Sequence, residues 1–393
     1  MHMDPLIPGI VGAAFCILVI GFVMERFRQP SVIGYILAGI VLGPQGLALI
    51  QDQAVIARMG EFGVILLLFF VGMEVPLATL LKHWLVSGLG TLLQIVLSLG
   101  CTWAIGTFFG WPVARIVLLG FVVSLSSTAV VLKYLELRDQ LHTRLGSNLI
   151  GILLVQDVAI VFMLIAMQFL RGQTPSAGEL VLQGIGCVAS LLLIAFLARK
   201  KHINLPCYQN FCGKGDKEYE VFMALILCFG LALVSGLLGL SAGLGAFLAG
   251  LVVSSAKETQ WVHENLNPFR VVFLALFFVS IGTQIDLDFI RLNTMALLML
   301  VLVLFVTNTF INASILHVLR TPWHESLLAG ALLSQIGEFS FVLAAVGHEA
   351  SIISDYAYHM TISTIVFSLI LTPAWAMLIE RSTAAWRRRS PTS

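Results

Sequence analysis

Apolar runs of about 20 residues recur along this chain from Leu6 to Ile379, and they constrain its fold more than any other feature. A helical run of that length matches the hydrocarbon thickness of a bilayer, about 30 Å. Thirteen segments read in this way, at about 6–24, 31–50, 58–75, 84–109, 113–133, 145–169, 179–198, 219–239, 241–255, 269–285, 294–318, 325–347 and 357–379. No water is present there to satisfy backbone N–H and C=O groups, so such segments must be helices. The expected fold is an all-α polytopic membrane protein. Only 11% of the residues are charged, against about 25% in soluble domains.

Lys and Arg distribute unequally between the connections. Eighteen fall on one side and four on the other when the segments alternate, which places the N-terminus outside and the C-terminus in the cytoplasm. The long polar loop at about 199–218 is then cytoplasmic and separates two halves, and a basic tail occupies 384–393. The first apolar run lacks a charged n-region and a cleavage site, so it reads as a retained helix. The net charge of +1 carries no nucleic-acid signature. The six cysteines are scattered and form no disulfide framework.

The two halves repeat each other faintly. Tyr35 to Gly39 resembles Ala246 to Gly250, and Phe69-Phe70-Val71 recurs as Phe277-Phe278-Val279. Ser124, in Ser-Leu-Ser-Ser, has a counterpart in Ser334 of Ser-Gln-Ile-Gly-Glu. These pairs sit 208 to 211 residues apart. The offset spans an odd number of segments, so the copies, at about 31–170 and 240–380, point in opposite directions. Inverted repeats characterise secondary transporters, whose sites lie where matching helices are broken near mid-membrane.

Carboxylates inside a membrane are costly and mark function. Asp157 lies near the middle of the sixth segment, beside Gln156. A desolvated carboxyl binds a proton more readily, and once ionised it needs a cation. A single group that holds either H⁺ or K⁺/Na⁺ is a minimal exchanger, with Gln156 as a carbonyl ligand. Ser124, Ser126, Ser127 and Thr128 supply hydroxyls for an unwound stretch and an ion site, although small-residue packing would also explain them. In the twelfth segment Gly337 permits a break, Glu338 can neutralise a half-helix N-terminus, and Gln335 stands beside them. Asn308 and Asn312 are one turn apart in the eleventh segment and are suited to interhelical hydrogen bonds. Glu61 and Glu74 read as interfacial charges. His202, Cys207 and Cys212 form a poor metal-like cluster in the long loop. His263-Glu264 lacks the second His of a zinc protease helix, and no P-loop is present. No enzyme constellation appears, and no cofactor is implied.

The chain resembles the monovalent cation:proton antiporter-2 group, and within it the Kef-type potassium–proton antiporters. The likeness rests on Gly34 to Gly39 with Leu42-Gly43-Pro44, on Gly60 to Val64 running to Glu74, and on Ser126 to Ala129. Gln156-Asp157, Asn267 to Arg270 leading to Gly282, and Ser334 to Phe341 complete it. It implies thirteen spans, a dimerisation domain using the first and eighth spans, and a mobile core with two crossed, broken helices in the fifth and twelfth. It also implies a homodimer in a bacterial inner membrane, with Asp157 as the carrier and K⁺ favoured over Na⁺ by the Gln-Asp pair. The sequence departs from the family in carrying no Lys or Arg in the eleventh span, where Asn308 takes that place. It also ends soon after the last span, without the nucleotide-binding regulatory domain usual in Kef-type proteins. Regulation would come from a separate cytoplasmic subunit or from a domain outside this chain. Rival readings are a gated cation channel or sensor subunit of the same fold, and an organic-anion symporter, which would want a mid-membrane Arg or Lys.

Overall fold

The structure is a computed structural model that describes residues 6–26, 30–49, 53–74, 85–141, 143–170, 177–199, 217–255 and 260–389. The cluster of His202, Cys207 and Cys212 lies outside the described residues, as do the side chains of Glu61, Glu74, His263 and Glu264.

Every described element is helical. In chain order they are α1 (Leu6–Arg26), α2 (Ser31–Leu42), α3 (Gln53–Glu74), a π-helical turn at Leu85–Leu89 leading into α4 (Gly90–Phe108), α5 (Val113–Ser124), α6 (Thr128–Leu137), α7 (Arg144–Leu170) and α8 (Ala177–Arg199). The second half has α9 (Lys217–Leu237), α10 (Ala242–Ser255), α11 (Gln260–Thr283), the short α12 (Leu287–Leu292), α13 (Thr294–Val318), α14 (Trp323–Leu332), α15 (Phe339–Glu349) and α16 (Asp355–Arg389). Five stretches are each long and apolar enough to cross a membrane: Val86–Phe108, Val113–Leu137, Arg144–Leu170, Thr294–Val318 and Asp355–Thr383. Shorter apolar helices accompany them, so the chain passes the bilayer repeatedly.

Hydropathy located the spans better than it located their ends. Helix α11 starts at Gln260, upstream of the apolar segment beginning at 269, because polar residues continue the helical hydrogen bonding. Likewise α16 runs to Arg389, past the apolar segment ending at 379. The apolar stretch at 325–347 is two helices with a gap between them.

Packing sorts the helices into two bodies. Helices α1, α2, α3, α9, α10 and α11 pack on one another, while α4 to α7 pack with α13 to α16. Fewer contacts join the two, chiefly α10 with α7 and α16 with α2, while α8 packs on α10. The meeting surface is apolar; Phe278 of α11 stands edge-on to Phe341 of α15, centroids 6.2 Å apart.

Two glycine crossings hold the first body together. A Cβ added to Gly39 of α2 would meet Val279 O and Gly282 of α11. A Cβ on Gly72 of α3 would meet Phe247 O and Gly250 of α10. In a membrane, small residues of this kind let helix backbones approach closely. The two crossings also exchange under the sequence repeat: Gly39 corresponds to Gly250, and Gly72 to Gly282. The same packing contact is thus made twice, with the roles of the two copies reversed.

Candidate functional site

The second body is organised around two interrupted helices. Helix α5 stops at Ser124 and α6 begins at Thr128, with Leu125, Ser126 and Ser127 extended or irregular between them. Helix α14 stops at Leu332 and α15 begins at Phe339. Serines, Gln335 and Gly337 fill the gaps. These residues compete with helical hydrogen bonding or tolerate its loss.

An interrupted helix exposes carbonyls at one end and N–H groups at the other, and inside a membrane each needs a partner. Here each break caps the other. The Gly337 N–H donates to Leu125 O at 2.7 Å. The Ser126 hydroxyl donates to Leu333 O at 2.8 Å. Gln335 Nε2 donates to Ser127 O at 3.3 Å, and the Ser340 hydroxyl to Val122 O at 2.8 Å. The Ile336 N–H goes to Ser368 of α16 at 3.1 Å. A Cβ on Gly337 would collide with the Ser126 carbonyl and Ser127 N.

Asn308 joins the two carbonyl ends. Its Nδ2 donates to Val123 O at 3.1 Å and to Ser334 O at 3.2 Å. One turn on, Asn312 donates to Asn308 O at 2.9 Å and to Leu333 O at 3.4 Å. A neutral amide therefore supplies donors where two negative helix ends converge.

The N-terminal ends carry the acids. Asp157 of α7 is 8% exposed, and Oδ2 accepts from the Thr128 hydroxyl at 3.0 Å. Glu338 is also 8% exposed. The break that carries it packs on the start of α6, where Gln335 Nε2 reaches Ser127 O and Gly337 abuts Ser127 N.

Gln156 faces the first break. Its Oε1 accepts the Ser126 N–H at 2.9 Å, and its Nε2 donates to Gln94 Oε1 at 2.6 Å. Gln94 Nε2 in turn donates to Ser124 O at 3.1 Å. The oxygen expected to bind a cation is therefore already engaged by a backbone donor. Gln94 is a participant that sequence reasoning missed. Its signal was available, as a lone amide in the apolar segment 84–109. Ser368 was missed too, since it is one of five Ser and Thr residues in its apolar segment and nothing sets it apart from the others. Asp157, Gln156, Ser126, Ser127, Thr128, Asn308, Gln335, Gly337 and Glu338 all meet at this crossing.

Two broken helices that cap each other around buried carboxyls in a multi-pass membrane protein are the architecture of a secondary transporter. The sodium/hydrogen exchanger transmembrane family matches residues 10–377, and the chain belongs to it. It is thereby placed among cation/proton antiporters, a family of transporters rather than enzymes. The chain is 35% identical to the iron transporter MagA of Paramagnetospirillum magneticum, over 94% of this chain and 84% of that protein. It is 34% identical to K⁺ efflux antiporter 5 of Arabidopsis thaliana, over 91% of this chain and 64% of the relative. It is 29% identical to the glutathione-regulated potassium-efflux protein KefC of Escherichia fergusonii, over 91% of this chain but 57% of KefC. The fold matches the sodium proton antiporter MjNhaP1 of Methanocaldococcus jannaschii, with TM-score 0.69 and 17% identity over 97% of this chain and 99% of that one.

Proposed function

We propose that this chain exchanges a monovalent cation for a proton, K⁺ in preference to Na⁺, with Asp157 alternately holding each. The observation that carries this reading is the buried Asp157 carboxyl at the helix crossing, oriented by Thr128 at 3.0 Å. A carboxyl that must be neutral when desolvated accepts either a proton or a cation and crosses with it. The Thr128 hydroxyl oxygen and main-chain carbonyls of the breaks complete the cation shell, with the Ser126 and Ser127 hydroxyls beside them. Gln156, bonded to Ser126 and Gln94, holds the first break open. Asn308, Gln335, Gly337 and Glu338 support the crossing. The K⁺ preference follows the plant and KefC relatives, which are potassium-efflux proteins, and the Gln-Asp pair.

Movement of the α4–α7/α13–α16 body against the other would expose the site to each side in turn. A homodimer through the outer faces of α1 and α9 would anchor the stationary body. Leu18 and Phe22 on α1, and Leu233 and Leu237 on α9, are all exposed. The setting is a bacterial inner membrane, N-terminus outside and C-terminus cytoplasmic. The chain spans 57 to 64% of the Kef and plant relatives, and a cytoplasmic regulatory domain or subunit would act on it.

The name of MagA raises iron as cargo. Among the described residues no group of three or more His, Cys, Asp or Glu is placed to hold a metal ion, which favours an alkali cation. A second reading, a gated cation channel or sensor of the same fold, draws on Asn308 standing where family members often carry Lys or Arg.

The test is proton movement in proteoliposomes containing a lumenal pH dye, pulsed with K⁺, Na⁺, Li⁺ or choline. Wild type should move protons with K⁺ and Asp157→Asn should not. A wild type that conducts K⁺ with no proton counter-movement would instead establish the channel.

A further inference from the structure

Few buried polar side-chain atoms among the described residues lack a partner. Among the described residues the unpartnered buried side-chain acceptors are Ser98 Oγ, Gln140 Oε1, Gln335 Oε1 and Glu338 Oε2. Two of these lie three residues apart in the break between α14 and α15. Both residues are more than nine-tenths buried, Gln335 completely. Buried acceptors in folded proteins are nearly always satisfied, so a pair of exceptions at one break calls for a missing partner.

The segment that carries both is not loose. Gln335 Nε2 donates to Ser127 O at 3.3 Å, and the Gly337 N–H, next to Glu338, donates to Leu125 O at 2.7 Å. The break is thus tied to the one between α5 and α6, and Gln335 Oε1 and Glu338 Oε2 are left unpaired within it. What both lack is a donor or a cation. One carboxylate oxygen with a neutral amide oxygen is a hard ligand pair that suits an alkali cation stripped of water.

The charge acting on Glu338 comes from the other body. Arg270 of α11 attracts the Glu338 carboxyl. Helix α11 packs on α2 and α3, whereas Glu338 belongs to the body built around the breaks.

We propose that Gln335 Oε1 and Glu338 Oε2 are ligands of the transported monovalent cation, a second oxygen cluster at the crossing that Asp157 alone does not provide. The inference rests on the exchanger reading and extends its binding site into the second break. A cation arriving at Glu338 competes with Arg270 for the same carboxylate. Loading therefore weakens an attraction between the two bodies, and unloading restores it. Cation occupancy and the freedom of the bodies to move are linked through one side chain.

The experiment is cation-dependent thermal stabilisation of the purified full chain, titrated with KCl, NaCl or RbCl against choline chloride, alongside KM for the cation in proteoliposomes. Glu338→Gln keeps an acceptor oxygen but removes the charge. It should raise the half-saturating cation concentration and KM by about tenfold or more. Glu338→Asp should recover part of that loss. Gln335→Met should raise both values several-fold and serves if Glu338→Gln does not fold. If the variants melt earlier in choline yet keep the wild-type half-saturating concentration, the residues only support the fold and the proposal falls. Wild type moving protons while Glu338→Gln binds K⁺ unchanged would also sink the site and leave the exchanger reading intact. Cation stabilisation sensitive to Glu338→Gln in a wild type that moves no protons would keep the site and remove the exchanger.

Discussion

The Thr128 hydroxyl donates to Asp157 Oδ2 at 3.0 Å, linking the first turn of α6 to the buried acid of α7. A hydrogen bond to a charged group contributes about 1.5–3 kcal/mol. Thr128→Val should therefore weaken cation binding by about tenfold or more, read as KM in proteoliposome exchange. Asp157→Asn should abolish cation-driven proton movement while the protein still folds, because an amide can accept the same Thr128 bond.

Asn308 serves Val123 O and Ser334 O together. Asn308→Leu leaves two buried carbonyls short of a donor. The expected cost is about 1–3 kcal/mol, seen as a lower unfolding temperature in detergent. Asn308→Gln, with the same donor on a longer arm, should recover little, because the two carbonyls are fixed by the helix ends.

Gly72 and Gly250 meet backbone to backbone, as do Gly39 and Gly282. Alanine at any of the four forces helices apart and should destabilise by about 1–3 kcal/mol. Gly100 of α4 has nothing within 4 Å of an added Cβ, so Gly100→Ala should be neutral or slightly stabilising. Equal losses for Gly72→Ala and Gly282→Ala, which correspond in the repeat, would show that both copies rely on the same contact.

Asp286 caps α12, accepting the Phe289 N–H at 2.9 Å and Gln45 Nε2 at 2.8 Å. The Gln45 bond first, then the Phe289 bond, hold its carboxyl below the usual carboxylate range. A depressed value in the folded state means its stabilisation is present above the unfolded Asp value, about 3.9, and is lost as the pH falls through the lower folded one. Asp286→Ala should cost about 1 kcal/mol at neutral pH. Melting temperatures of the two proteins should draw together as the pH is lowered below 4 or so. A gap that persists in acid would mean the capping geometry, rather than the charge, matters.

Much of this was legible in the sequence because lipid imposes simple rules. The spans, the faint repeat, and the coincidence of Asp157, the serine run and Gly337 with breaks all follow from composition along the chain. The partners were not legible. Nothing in the spacing of Gln94 and Gln156 announces that they bond each other at 2.6 Å, because they meet only after α4 and α7 pack. Gln156 read as a cation ligand on chemical type alone. Its oxygen is engaged by Ser126 because an irregular turn leaves that N–H without a helical acceptor. Glu338 was expected to neutralise a helix end, and the break it belongs to packs on the start of α6, about 210 residues earlier in the chain.

That separation bears on how the protein is made. The break after α5 emerges from the ribosome long before Gly337 and Ser340, which supply Leu125 O and Val122 O with their donors. The first half must therefore enter the bilayer with an incompletely capped interruption. Insertion of α5 and α6 is provisional until translation is nearly finished, and a chain stalled before α14 would present bare carbonyls to quality control.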